Sequence, residues 1–205
     1  MKKQKNPKLT LQKDPSEIGQ QFFYGDGRKK NYRQAFPYLL AAARAGDPHC
    51  QNLVGYSYDL GLGVEKNRQL ALLWYRQAAK NNDKEGLFNL ALHYAKGAGA
   101  GTDLRKAFSF YKCAAEIGDA PSQCNLGIAY LEGLGAKQDL TEGVKWLRAA
   151  ARQGDAKAQY SLGVVYCDGE GVRKNIRCAQ AWLGKAAQQG HKLAAAKLKK
   201  ILRAK

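Results

Sequence analysis

Acidic residues are scarce in this chain: 17 Asp and Glu face 34 Lys and Arg across 205 residues, a formal charge of +17. Long apolar runs are missing too. No stretch of 18 uninterrupted apolar residues occurs, so no membrane-spanning helix is expected. The basic start, Met1 to Lys8, has no apolar run after it, so no secretory signal is expected. Histidine is limited to three well-separated residues. No Ser-His-Asp, His-Glu-x-x-His or paired-carboxylate pattern stands out, so neither catalysis, a metal site nor a cofactor is expected. Five cysteines make an odd set without a Cys-x-x-Cys pair, which argues against a disulfide framework and a zinc knuckle. Reduced thiols and a cytoplasmic location are the resulting expectation. What the chain does have is apolar material, 45% of residues, enough to bury a core and exclude a wholly disordered polymer.

That material is periodic. Gly46-Asp47, Asn82-Asp83, Gly118-Asp119, Gly154-Asp155 and Gly190-His191 lie 36 residues apart. The same step separates Gly25, Gly61, Gly97, Gly133 and Gly169, each with a second glycine two residues on, and Phe22, Tyr58, Tyr94, Tyr130 and Tyr166. A fourth lattice of small residues holds Gly19, Gly55, Ala91, Gly127 and Gly163. The repeats run 11–46, 47–82, 83–118, 119–154 and 155–190, without insertion or deletion. Each reads as two helices. In 119–154, Asp119 caps the first helix, with Pro121 tolerated in its first turn, and Gly133 ends it in a left-handed conformation. Asp139 caps the second, as Asn31, Asn67, Asp103 and Asn175 do elsewhere, and Glu142 stands at capping-box spacing. The inward stripe of the second helix is expected at Trp146, Ala149 and Ala150, with Tyr38, Trp74, Phe110 and Trp182 as equivalents of the tryptophan. A glycine inside a helix costs about 1 kcal/mol relative to alanine. The small-residue lattice therefore implies a close approach of the neighbouring helix. One such unit cannot bury its apolar face alone, so the repeats must stack into a solenoid.

Recurrence in every repeat makes the Gly-x-Gly loops structural rather than phosphate cradles, and no strand or Gly-Lys-Ser/Thr accompanies them. Residues 1–14 read as a basic arm. Residues 191–205 read as a basic capping helix, with Lys199 where the glycine lattice falls. Basic clusters occur at Arg28, Lys29, Lys30 and Arg33, at Arg173, Lys174 and Arg177, and around Lys197 and Lys200. They are either a solvated surface or an attraction for nucleic acid, anionic lipid or an acidic protein. Two cysteine pairs, Cys113 with Cys124 and Cys167 with Cys178, are spaced to face each other across a turn. A bridge needs Cα atoms within about 7 Å, and reduced core thiols are the alternative.

The pattern Leu-Gly-x-x-Tyr-x-x-Gly-x-Gly, an Asn or Asp cap, Trp-Tyr, Ala-Ala and Gly-Asp resembles the Sel-one-like repeat family, a relative of the tetratricopeptide repeats, over residues 11–190. The resemblance implies an all-α, right-handed superhelix of five helical hairpins plus the capping helix. It implies a monomeric, non-catalytic adaptor that binds a protein or peptide in a concave groove lined by the first helices. Its groove positions fall on Tyr24, Tyr56, Leu60, Phe88, Leu92, Ile128, Tyr160 and Val164, with Phe23, Asn52, Glu85, Cys124, Leu131 and Glu132 beside them. Leu92, Ile128 and Val164 serve either this groove or the packing of one first helix on the next. Binding of nucleic acid or an anionic surface through the basic tails is the alternative function. A remote third is binding or hydrolysis of penicillin-like compounds, by resemblance to a cysteine-rich branch with a regular Cys pair in each repeat. Cys50, Cys113, Cys124, Cys167 and Cys178 follow no common lattice here.

Overall fold

The structure is a computed structural model, and it describes residues 14–97 and 101–203. The expected arm at 1–13 lies outside the described residues, as do Gly99 and Lys205. Asp14 is no part of an arm: its carboxylate accepts the Ser16 N–H and caps the first helix. Among the described residues there are eleven helices. They run α1 (Pro15–Tyr24), α2 (Tyr32–Arg44), α3 (Pro48–Leu60), α4 (Arg68–Lys80), α5 (Lys84–Lys96), α6 (Leu104–Glu116), α7 (Ala120–Glu132), α8 (Leu140–Arg152), α9 (Ala156–Asp168), α10 (Ile176–Gln188) and α11 (Lys192–Arg203).

The caps set these boundaries. Asp47, Asp83, Asp119 and Asp155 each accept a backbone N–H three residues on and start α3, α5, α7 and α9. Asn31, Asn67, Asp103, Asp139 and Asn175 do the same for α2, α4, α6, α8 and α10. Glu142 does not close a capping box in return; it pairs with Lys145 at 2.8 Å. Gly133, at φ 69°, stops α7 in the left-handed conformation, and its N–H returns to the Ala129 carbonyl. At Gly63, Gly135 and Gly171 the second glycine of the loop has a different reason, whereas a Cβ at Gly27 would meet nothing within 4 Å. A Cβ at Gly135 would run into the Leu104 carbonyl, and one at Gly63 into the Tyr32 carbonyl, each at the start of the preceding repeat's second helix. The loop of one repeat therefore lies directly on the previous repeat.

Within each hairpin the small-residue lattice meets one partner. Cβ atoms at Gly19, Gly55, Gly127 and Gly163 would stand 2.7–2.8 Å from Leu39, Tyr75, Leu147 and Leu183. These partners form a lattice of their own, completed by Tyr111, and all five are buried. The buried stripe of the second helices therefore falls one residue after the expected one. Trp74, Phe110, Trp146 and Trp182 are half-buried, and Tyr38 is 40% exposed. A rotation of about 100° per residue places that neighbouring position against the glycine and leaves the larger ring on the flank.

Each second helix packs on both its own first helix and the next one, producing a continuous stack from α1 to α11. First helices of adjacent repeats also touch, α3 with α5 and α7 with α9. That extra contact places the first helices on the inner side of an all-α repeat solenoid. A polar ladder, buried at Gln51, Gln123 and Gln159 and exposed at its outer partners, ties the repeats together. The Gln51, Gln123 and Gln159 amides each donate to a carbonyl at the end of the preceding second helix, those of Ala43, Ala115 and Ala151. Their own oxygens accept from Asn81, Gln153 and Gln189, one helix further on. In the third repeat both members are apolar, Leu87 and Ile117.

Candidate functional site

Among the described residues the inner face carries at least three open cavities; one of about 160 Å³ between α5, α6 and α7 shares Ile128 with its neighbour, and two larger ones gather the expected groove residues. The first, about 470 Å³, lies between α1, α3 and α5. Its walls include Phe23, Tyr24, Tyr32, Tyr56 and Phe88, and its polar side Asn52, Glu85 and Asn89. Three of the expected groove residues, Tyr24, Tyr56 and Phe88, thus meet in one place although they lie in three repeats. Phe23 positions the wall: its ring packs edge-on to Tyr24, Tyr32 and Tyr56 at 5.2, 5.1 and 6.3 Å. The polar side is preorganised. Buried Asn52 donates to the Glu85 carboxylate at 3.0 Å, and Asn89 donates to the Asn52 oxygen at 2.9 Å. His49 lies 3.1 Å from the Tyr24 hydroxyl and 3.9 Å from Glu85. Partial burial, with Glu85 next in weight, pushes the Tyr24 phenol up to about 12, so it stays a neutral hydrogen-bonding group.

The second cavity, about 670 Å³, lies between α7, α9 and the loops that follow them. Ile128, Tyr160 and Val164 meet here, joined by Leu131, Leu140 and Val165, with Glu132 and Glu170 at the rim. Tyr160 is held by stacking on His191 at 4.6 Å. Leu60 and Leu92 lie outside both cavities. Leu60 is 50% exposed at the end of α3, and Leu92 is half-buried in α5. Cys124, beside the expected groove, is instead buried between helices.

Several lining residues lie outside the first helices, where the groove was expected. Tyr32 and Leu140 open second helices, and Lys30, Gln138 and Glu170 come from loops. The available signal was an apolar residue directly after an Asn or Asp cap, where a helix start is ordinarily solvated.

The basic clusters at Arg28–Arg33 and Arg173–Arg177 occupy equivalent inter-helix loops and helix starts on one edge of the stack, four repeats apart. Arg28 covers the Phe22 ring at 4.3 Å. Lys197 approaches Asp168 at 3.7 Å, and Lys200 is exposed on α11. All five cysteines are free, so neither Cys113 with Cys124 nor Cys167 with Cys178 forms a bridge. Burial pushes the thiols of Cys50 and Cys124 up to about 12, which makes both poor nucleophiles. Among the described residues, no group of three His, Cys, Asp or Glu is arranged to hold a metal, and no helix is long and apolar enough to cross a membrane.

The Sel1 repeat pattern matches residues 18–47, 48–83, 84–119, 120–155 and 156–191. This chain belongs to the Sel1 repeat family. A Sel1 repeat protein from Oxalobacter formigenes shares 35% identity over 90% of this chain and 72% of its own, with a TM-score of 0.83. A protective antigen of uropathogenic Escherichia coli with the same repeat fold shares 34% identity over 91% of this chain and 40% of its own, also at 0.83. An immunity protein from Pseudomonas aeruginosa, 21% identical over 90% of this chain and 69% of its own, shares the fold at 0.60. No curated protein matches the chain. Sel1 repeat proteins are in general non-catalytic protein-interaction scaffolds, and protein partners are the class this family membership supports.

Proposed function

We propose that this Sel1 repeat protein is an adaptor that captures a segment of another protein along the inner face of its first helices. The observation that carries the reading is the convergence of residues from separate repeats into two cavities: Tyr24, Tyr56 and Phe88 in one, Ile128, Tyr160 and Val164 in the other. Half-exposed aromatics beside preset polar groups are the chemistry of binding hot spots. The mechanism is preorganisation. Helices locked by caps and the glutamine ladder lose little entropy on capturing a flexible segment, so more of the contact energy appears as affinity. An extended peptide or an amphipathic helix with apolar anchors suits cavities with apolar walls of this kind.

The test is capture of partners from native lysate at physiological salt by the parent protein and by Tyr56→Ala/Phe88→Ala/Tyr160→Ala. Loss of partners with an unchanged circular-dichroism spectrum is expected, and retained partners would sink the groove. A second reading rests on α11, whose exposed side carries Lys192, Lys199, Lys200 and Arg203 with exposed Leu193 and Leu202 on its two opposite flanks. Such a basic, apolar surface suits an anionic partner. Partners lost on removal of residues 191–205, but kept by the triple variant, would favour it.

A further inference from the structure

Charge is divided between the two helix sets in a way the total conceals. The five first helices hold five carboxylates, Glu17, Asp59, Glu85, Glu132 and Asp168, against three lysines. The five second helices hold two, Glu116 and Glu142, against thirteen Lys and Arg. The basic excess of the repeats thus sits on the outer helices and loops. The inner helices are slightly acidic, and the 670 Å³ cavity shows this most sharply. Its floor is apolar, from Ile128, Leu131, Val164 and Val165, while Glu132 and Glu170 stand exposed at its rim. Among the described residues lining it, none is Lys or Arg. Lys137, Arg173 and Lys174 in the adjoining loops stand outside the lining.

We propose that this cavity selects a basic amphipathic segment of a partner protein, seating an apolar or aromatic anchor on Ile128 and Val164 and meeting flanking Lys or Arg with Glu132 and Glu170. The inference rests on the groove reading and adds the chemistry of the occupant. Charge complementarity supplies the argument. An acidic segment would bring its carboxylates against Glu132 and Glu170 and be drawn instead to the outer helices, whereas a basic one is repelled there and steered inward. The apolar floor gives no return for a purely charged ligand, so both features are required of one segment.

Three labelled synthetic peptides test this by fluorescence anisotropy at physiological salt. One has a Leu-Trp-Leu core flanked by lysines, one the same core flanked by glutamates, and one lysine flanks around an alanine core. The lysine-flanked apolar peptide is expected to bind about tenfold more tightly than either of the others, a modest ratio because the rim carboxylates are exposed. Glu132→Lys/Glu170→Lys is expected to reverse the preference between flanks without moving the melting curve, since both side chains are exposed. Failure of the lysine-flanked peptide to bind, or equal or tighter binding of the glutamate-flanked one, overturns the inference and leaves the groove reading to its own test. Binding insensitive both to the flanks and to Tyr56→Ala/Phe88→Ala/Tyr160→Ala removes the groove reading as well.

Discussion

Gly127 shows how a single hydrogen atom in place of a side chain sets the distance between two helices. A Cβ there would lie 2.8 Å from the Leu147 Cγ and 2.9 Å from the Gly143 carbonyl oxygen, which is backbone and cannot step aside. At Gly163 the nearest atoms belong to the Leu183 side chain, at 2.7 and 2.9 Å, and the backbone is 3.3 Å away. Alanine regains about 1 kcal/mol of helix propensity at either site, against an overpacking cost of about 1–3 kcal/mol. Gly127→Ala is therefore expected to lower the melting temperature more than Gly163→Ala, and Gly127→Leu to lower it by roughly 5–10 °C. Equal melting curves for the two alanine variants would remove the backbone argument. Asp83 supplies a pH prediction. Burial raises its carboxyl above the usual carboxylate range; the Gly86 N–H opposes this, and Glu85 adds to it. A raised carboxyl binds its proton more tightly folded than unfolded. Its contribution is thus favourable below the usual range and is lost as pH climbs through the raised value. Asp83→Asn keeps the cap and removes the buried charge, so at neutral pH its stability should equal or exceed the parent's, with the margin shrinking in acid. Asp83→Ala should lie about 1 kcal/mol below Asp83→Asn at every pH, so its deficit against the parent deepens in acid. Urea melts across the acid range decide between these patterns.

At the level of helices, the glutamine ladder explains why stacking keeps a fixed register. Gln159 donates to the Ala151 carbonyl at the end of α8 and accepts from Gln189 at the end of α10, so one side chain fixes three helices. Removing Gln189 strands the buried Gln159 oxygen, a cost of about 1–3 kcal/mol, whereas exposed Gln189 can turn to water when Gln159 is lost. The third repeat shows the alternative, with Leu87 and Ile117 replacing both members. Gln189→Ile alone, which strands the buried Gln159 oxygen, is expected to destabilise, while Gln159→Leu/Gln189→Ile should cost less than the sum of the two single changes. A double-mutant cycle that closes to zero would mean the pair is not coupled. The same lattice was visible in the sequence at Gln51, Gln123 and Gln159. Its partner 30 residues on becomes meaningful only once the end of one hairpin is known to face the start of another.

For the molecule as a whole, stability is a sum of repeat and interface terms rather than a property of one core. Ala194, Leu198 and Ile201 of α11 cover Leu183 and Ala186 of α10. Removing residues 191–205 should cost roughly 3–5 kcal/mol from the aliphatic groups exposed. The loss should appear as faster amide exchange in α9 and α10, with α1 to α4 unchanged. Uniformly faster exchange through all repeats would instead indicate one cooperative unit. The inner face between α1 and α5 is distant from that end, so its cavity should survive the truncation.

The amino-acid order alone determined the repeat length, the ten repeat helices and their caps, because these depend on local chemistry: an Asx side chain three residues from an N–H, a glycine where φ must be positive, a 36-residue echo. The family resemblance, rather than the order of residues itself, put Tyr24, Tyr56, Phe88, Ile128, Tyr160 and Val164 on one kind of face. The tertiary fold decided what periodicity leaves degenerate. Positions 146 and 147 are both apolar, and only contact with Gly127 selects Leu147 for burial and leaves Trp146 on the flank. Tyr32 and Leu140 entered the cavities because loops and helix starts fold over the neighbouring repeat, a relation between residues distant in sequence. The separation of acidic inner helices from basic outer ones likewise exists only once the chain has stacked, since along the sequence the two alternate every 18 or so residues and average to a uniformly basic polymer.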